Sequence, residues 1–144
     1  MSDKDLCKPY ILQMVAGVDE LADKQAAARV MERCGRACAR LGAVASAKSC
    51  SGNLDALLKL LGTWIGGKNV RRDGDIIHIT YEKCFCHLKL DVPKDTADTF
   101  CLCSRGWLKE MFETVLNATV EVELLASIKQ GDPACRFRVK LGLR

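Results

Sequence analysis

The apolar residues change their period at Gly66-Gly67, and this limits the chain to folds that are helical first and sheet-bearing second. Before the two glycines the spacing is helical. Ile11, Met14, Val15 and Val18 recur along one face, and Pro9 suits a first turn. Asp23 is placed to cap a second helix running through Cys34, with Gly35 as a weak point in it. Ser49 to Gly52 is a break. Asn53 then caps a short amphipathic helix carrying Leu54, Leu57, Leu58, Leu61, Trp64 and Ile65, and Gly66-Gly67 ends it.

Beyond the glycines the period is two. Asp73-Gly74 signals a turn, and Ile77, Ile79 and Tyr81 alternate with His78 and Thr80. The parity then flips: Cys84, Cys86, Leu88 and Leu90 form the next alternating set, which requires a bulge or a tight hairpin near Glu82-Lys83. Either way, Cys84 and Cys86 are expected on one face of a strand. Asp91 to Phe100 reads as a polar connection. Ser104 is placed to cap a helix to about Leu116, with Trp107, Leu108, Met111, Phe112 and Val115 inward and Asn117 as its stop. Val120, Val122 and Leu124 alternate next. After Gly131-Asp132-Pro133, Cys135, Phe137, Val139 and Leu141 alternate with Arg136, Arg138 and Lys140. The basic residues can pair with Glu121 and Glu123 across a hairpin. The order predicts an α+β fold: N-terminal helices, then a mainly antiparallel sheet with helices packed on one face. Residues 1–144 are expected to form a single domain, with a helical part over 1–66 and a sheet-and-helix part over 67–144.

The net charge of +4 is scattered without a basic run, so charge points to neither a nucleic-acid nor a membrane partner. The first residues lack the apolar core of a signal peptide, and no stretch approaches the ~20 apolar residues of a membrane span. A cytoplasmic location is the expectation. In such a reducing compartment the nine cysteines point to metal binding, thiol chemistry or small core residues rather than disulfides.

The thiols concentrate in Cys84-Phe85-Cys86-His87 and Cys101-Leu102-Cys103-Ser104-Arg105-Gly106-Trp107. One pair is expected side by side on a strand. The other is expected at a helix start, where the dipole favours thiolate. Cys135 lies on the inward side of the last strand. Cys84, Cys86, Cys101, Cys103 and Cys135 are therefore the candidate metal ligands, for zinc first and an iron–sulfur cluster second. His87 would point away from Cys86 and is not counted. For Cys7 and Cys50, burial as small hydrophobes is the better reading, and Cys34 and Cys38 are evenly balanced. Arg105, Trp107, Met111 and Phe112 are the candidate ligand-binding residues, although a solvated Arg105 and a core Trp107 are the plainer readings. Gly62 to Asn69 nearly spells a phosphate loop, but it lacks the final Ser or Thr and follows a helix. Arg29 to Arg40 has no second helix at the spacing that a DNA reader needs.

Cys101 to Leu141 resembles the C-terminal half of the 4-vinyl reductase type of small-molecule-binding domain. The resemblance is carried by Cys101 or Cys103 ahead of Gly106-Trp107, by Val120-Glu121-Val122-Glu123, and by Gly131-Asp132-Pro133-Ala134-Cys135-Arg136-Phe137-Arg138-Val139. It covers under a third of the chain. Relatives include ligand-sensing domains of bacterial regulators and, more distantly, L-2-amino-thiazoline-4-carboxylic acid hydrolase-like proteins. The 84–107 stretch is also similar to a small group of uncharacterised bacterial proteins with the same cysteine pattern. The resemblance implies zinc held at the positions of Cys101 and Cys135, by a cysteine at the position of Ser127 and by a glutamate at that of Leu124. The last two ligands are replaced here, and the expectation is a site rebuilt from Cys84, Cys86 and Cys103. The implied function is a zinc-stabilised, sensor-like module for a small-molecule ligand, with a homodimer as a candidate assembly. The alternative is a hydrolase using Cys101 or Cys103 as nucleophile, with Arg105 or a helix-end amide at the oxyanion and no evident general base. An iron–sulfur or redox protein is third.

Overall fold

The computed structural model describes residues 2–85 and 90–142. Four helices come first: α1 (Asp3–Leu21), α2 (Lys24–Arg40), α3 (Ala43–Lys48) and α4 (Leu54–Ile65). The hairpin strands β1 (Val70–Asp73) and β2 (Ile76–Tyr81) come next, then α5 (Lys94–Phe100), α6 (Cys103–Leu116), β3 (Val120–Ala126) and β4 (Cys135–Leu141). The four strands form one antiparallel sheet in the order β1-β2-β4-β3. Helices pack against it, so the fold is α+β, as the change of period predicts. No helix among the described residues is long and apolar enough to cross a membrane.

The local signals hold at most helix ends. Asp23 accepts the Ala26 amide at 2.8 Å and Asn53 accepts the Ala56 amide at 3.0 Å. Asn117 ends α6 in the left-handed conformation at φ 50°. The start of α1 differs. Ser2 and Asp5 form a capping box, so the helix begins at Asp3 and Pro9 falls inside it rather than in its first turn. That helix leaves Tyr10, Met14 and Leu21 exposed, at 74%, 69% and 85%.

Two expectations fail. The Asp91–Phe100 connection contains α5. It packs Ala97 and Phe100 inward, and Thr99 donates a hydrogen bond to Asp19 of α1. Ser104 is not a cap, because α6 begins at Cys103 after Cys101 and Leu102 carry the chain from α5 in nearly helical geometry. The strand expected through Cys84 is also absent over its described part. β2 ends at Tyr81, having paired with both neighbours, and Glu82 to Phe85 lie beyond the sheet. Cys86, His87 and Leu88 of that expected strand fall outside the described residues, and so does the choice between bulge and hairpin.

The core is built on the crossing of α2 and α6. Gly35 and Gly106 are both buried there. A Cβ on Gly35 would overlap the Cys103 carbonyl oxygen, and one on Gly106 would overlap the Glu32 carbonyl oxygen. The two backbones thus approach at distances only glycine permits. Beside this contact Arg36 reaches Glu110 at 2.9 Å and Glu113 at 3.0 Å, Arg40 reaches Glu110 at 2.8 Å, and Lys109 reaches Glu32 at 2.6 Å. The arginines of α2 are a clamp on α6. Below the crossing, Leu108, Met111, Phe112 and Val115 meet Ile77, Ile79, Phe137 and Val139 in the main apolar cluster.

Gly106→Ala forces backbone against backbone and should cost ~2 kcal/mol or more. Gly17→Ala meets no atom within 4 Å and should stabilise α1 by about 0.5–1 kcal/mol. Urea unfolding of the two variants checks the pair; a neutral Gly106→Ala would show that the crossing is looser than described.

Candidate functional site

The sulfur cluster sits at the end of the sheet where β2 stops and β4 begins. Tyr81 and Cys135 are cross-strand partners at that end. On the neighbouring strand, Leu124 pairs with Phe137 while Ala126 pairs with Arg136, so the register slips and Leu125 is the extra residue of a β-bulge. Regular alternation from Leu124 would turn residue 127 outward. The bulge turns Ser127 inward, where it is fully buried.

Ser127 is held by its whole surroundings. Its hydroxyl donates to Cys101 Sγ at 3.0 Å. Its amide donates to Asp132 Oδ2 at 2.8 Å, and the Asp132 amide donates back to the Ser127 carbonyl at 3.1 Å. Gly131 closes this turn at φ 105°, a conformation that L side chains rarely adopt. Cys135 Sγ accepts the Ile128 amide at 3.4 Å. Lys129 Nζ donates to the Leu90 carbonyl at 2.8 Å and lies 5.8 Å from the Phe100 ring centre, tying the far end of the 82–93 connection to α5. Tyr81 stacks between Phe137 at 5.0 Å and Phe85 at 5.3 Å, walling one side.

The electrostatics favour neutral thiols. Burial pushes the Cys101 thiol up, and the nearby Cys135 and Cys84 sulfurs add to this against the opposing Ser127 bond and Lys129. Burial pushes Cys135 up as well; Cys84 adds to it, while the Ile128 amide, Ser127 and Lys129 oppose. The Tyr81 phenol is raised by burial first, then by Cys135 and Cys103. The expectation of thiolate at a helix start is therefore reversed for Cys101. It caps the end of α5, and its amide is spent on the Ala97 carbonyl.

Of the predicted ligands, Cys101 and Cys135 are buried around Ser127, Cys103 is half-buried, and Cys84 is exposed at the edge yet close enough to act on both buried thiols. Cys86 lies outside the described residues. Among the described residues, no group of three or more His, Cys, Asp or Glu side chains is gathered to hold a metal ion. Leu124, at the position where a glutamate ligand is implied, is packed among apolar neighbours. The four candidate ligand-binding residues do not converge. Met111 and Phe112 are fully buried in the main cluster. Trp107 meets Trp64 edge-on at 6.2 Å, and Arg105 lies near Glu32 with its Nε buried and unbonded. Sequence reasoning treated Ser127 only as a lost ligand and overlooked Tyr81 and Lys129. The paired Leu124-Leu125 was the one hint of the bulge.

Both buried thiols bind their proton more tightly folded than unfolded. Their contribution is whole below the unfolded value of about 8.5 and is lost as pH rises through the folded values. Stability should therefore fall between pH 8 and 10, and Ser127→Ala, which removes a buried hydrogen bond, should cost ~1 kcal/mol. Mass-spectrometric mapping of iodoacetamide labelling at pH 7.5 should find Cys34 and Cys84 modified roughly 100-fold faster than Cys101 and Cys135. Equal rates would contradict the neutral, buried thiols.

No curated protein matches the chain. Among solved structures, it is similar to the phenol-responsive sensory domain of the transcription activator PoxR with phenol. The identity is 18% and the TM-score 0.49, over 90% of this chain and 73% of that one. A family model matches residues 65–142, from the end of α4 through β4 and so across the whole sheet and the sulfur cluster. The chain belongs to the family of unknown function DUF6144.

Proposed function

We propose that the protein is a non-catalytic, sensor-like module that binds a small, neutral, largely apolar molecule at the sheet end beneath the 82–93 connection. The observation that carries this is the buried Ser127 hydroxyl, bonded to Cys101 beside Cys135. It gives a few uncharged polar groups walled by the rings of Tyr81, Phe85 and Phe137. Binding sites for small neutral ligands are built this way: apolar walls, with few polar groups to set orientation. A cysteine hydrolase is disfavoured, since burial moves Cys101 away from thiolate and a nucleophile needs the opposite shift.

Zinc is the second reading, favoured by the mutual influence of Cys84, Cys101 and Cys135. Cys103 or Cys86 would supply a fourth sulfur. The ion would lower the thiol pKa values and tie the 82–93 connection to the sheet as a structural site. The described residues do not by themselves fit it, because Ser127 occupies the centre and no three-ligand set is gathered. An iron–sulfur cluster meets the same difficulty.

Saturation-transfer NMR with indole, p-cresol and benzoate tests the main reading. Indole or p-cresol should bind at least tenfold more tightly than benzoate, and Ser127→Ala should weaken binding by about three- to tenfold, the value of one hydrogen bond. No transfer to either neutral probe at millimolar concentration would refute it. Elemental analysis of the same sample decides the second reading. One zinc per chain, lost in Cys135→Ser, supports a metal site, and metal-free protein that still binds indole removes it.

A further inference from the structure

The outer face of the sheet carries a feature that the thiol cluster does not use. A groove of about 360 Å³ is lined by Lys68, Arg71, His78, Thr80, Leu125 and Arg136 among others. Its placement comes from register. His78 and Thr80 lie side by side on β2, Arg71 faces His78 from β1, and Arg136 faces Thr80 from β4. The bulge that turns Ser127 inward also leaves Leu125 standing out on this face, 51% exposed, as an apolar rim. No carboxylate lines the groove among the described residues. The neighbouring cations are satisfied: Arg138 pairs with Glu123 at 2.6 Å, Lys68 with Glu82 at 3.0 Å, and Arg72 with Asp55 at 3.7 Å. Arg71 and Arg136 make no ion pair among the described residues.

We infer that this groove binds a small organic di- or triphosphate. Two guanidinium groups without carboxylate partners offer the planar, bidentate fork that matches phosphate oxygens. They rise from strands two spacings apart, about 10 Å, which is too wide for one phosphate held by both and suited to a chain of two or three. The Thr80 hydroxyl and a His78 ring N–H lie between them as neutral donors. Leu125 gives an organic group a place to rest beside the charged floor. The groove lies on the face opposite the buried thiols, so it stands independently of the function proposed for them.

Isothermal titration of the full chain with pyrophosphate and with adenosine diphosphate, in 150 mM salt, tests the inference. Both should bind one-to-one. Arg71→Gln and Arg136→Gln, each at a solvent-facing position, should weaken binding about tenfold apiece, and the double variant should abolish it. Arg29→Gln, an exposed cation on α2, should change nothing. Tighter binding of adenosine diphosphate than of pyrophosphate supports the apolar rim, and Leu125→Ser should remove the difference. The inference is overturned if neither probe binds at 10 mM, or if binding survives the double variant. It is also overturned if a single-stranded oligonucleotide binds this face and pyrophosphate does not displace it.

Discussion

The close approach of α2 and α6 through Gly35 and Gly106 is the contact that positions everything else in the molecule. With backbones this near, Glu32, Arg36, Arg40, Lys109, Glu110 and Glu113 come within reach of one another and form a partly buried ion network along the seam. Burial of these charges is tolerable because each meets an opposite one; breaking a single member would leave its partner desolvated and uncompensated. The same approach fixes the rotation of α6, and so decides that Met111 and Phe112 face the sheet while Trp107 turns to Trp64. It also explains the glycine in Cys103-Ser104-Arg105-Gly106-Trp107. The residue belongs to helix packing and has no need of a ligand.

The sulfur cluster inherits its position from this frame. α6 continues almost directly from α5, so Cys101 is delivered to the end of the sheet from the helical layer. Cys135 arrives from β4, and Ser127 arrives through the bulge in β3. The three side chains join the two apolar clusters of the molecule, Cys135 belonging to the larger and Cys101 to the smaller. Desolvation then sets the chemistry. Thiols that a helix terminus in water would activate are here kept protonated, and they act as polarizable walls and weak hydrogen-bond partners.

The bulge has two consequences of opposite kind. Inward, it supplies the buried hydroxyl. Outward, it lifts Leu125 beside an uncovered row of cations. A single inserted residue reverses the side-chain parity of every later residue in the strand, so one local event shapes both faces.

Local chemistry along the chain was enough for most element types, most of the caps, the antiparallel sheet and the inward residues of β2, β3 and β4. These come from period and from hydrogen bonding within a few residues, as at Asp23, Asn53 and Asn117. The same pattern marked Cys101 and Cys135 as neighbours in the making. It missed α5, whose polar residues hide a helix that is held by packing at Ala97 and Phe100. It carried a strand past Tyr81 because alternation says nothing of whether a partner edge exists. Three features were settled in three dimensions alone: the inward turn of Ser127, the neutral state of the buried thiols, and the role of Gly35 and Gly106 as contact points rather than weak ones. Each depends on groups distant in sequence, through burial, strand register or the approach of a second backbone, and no periodicity along one segment records them.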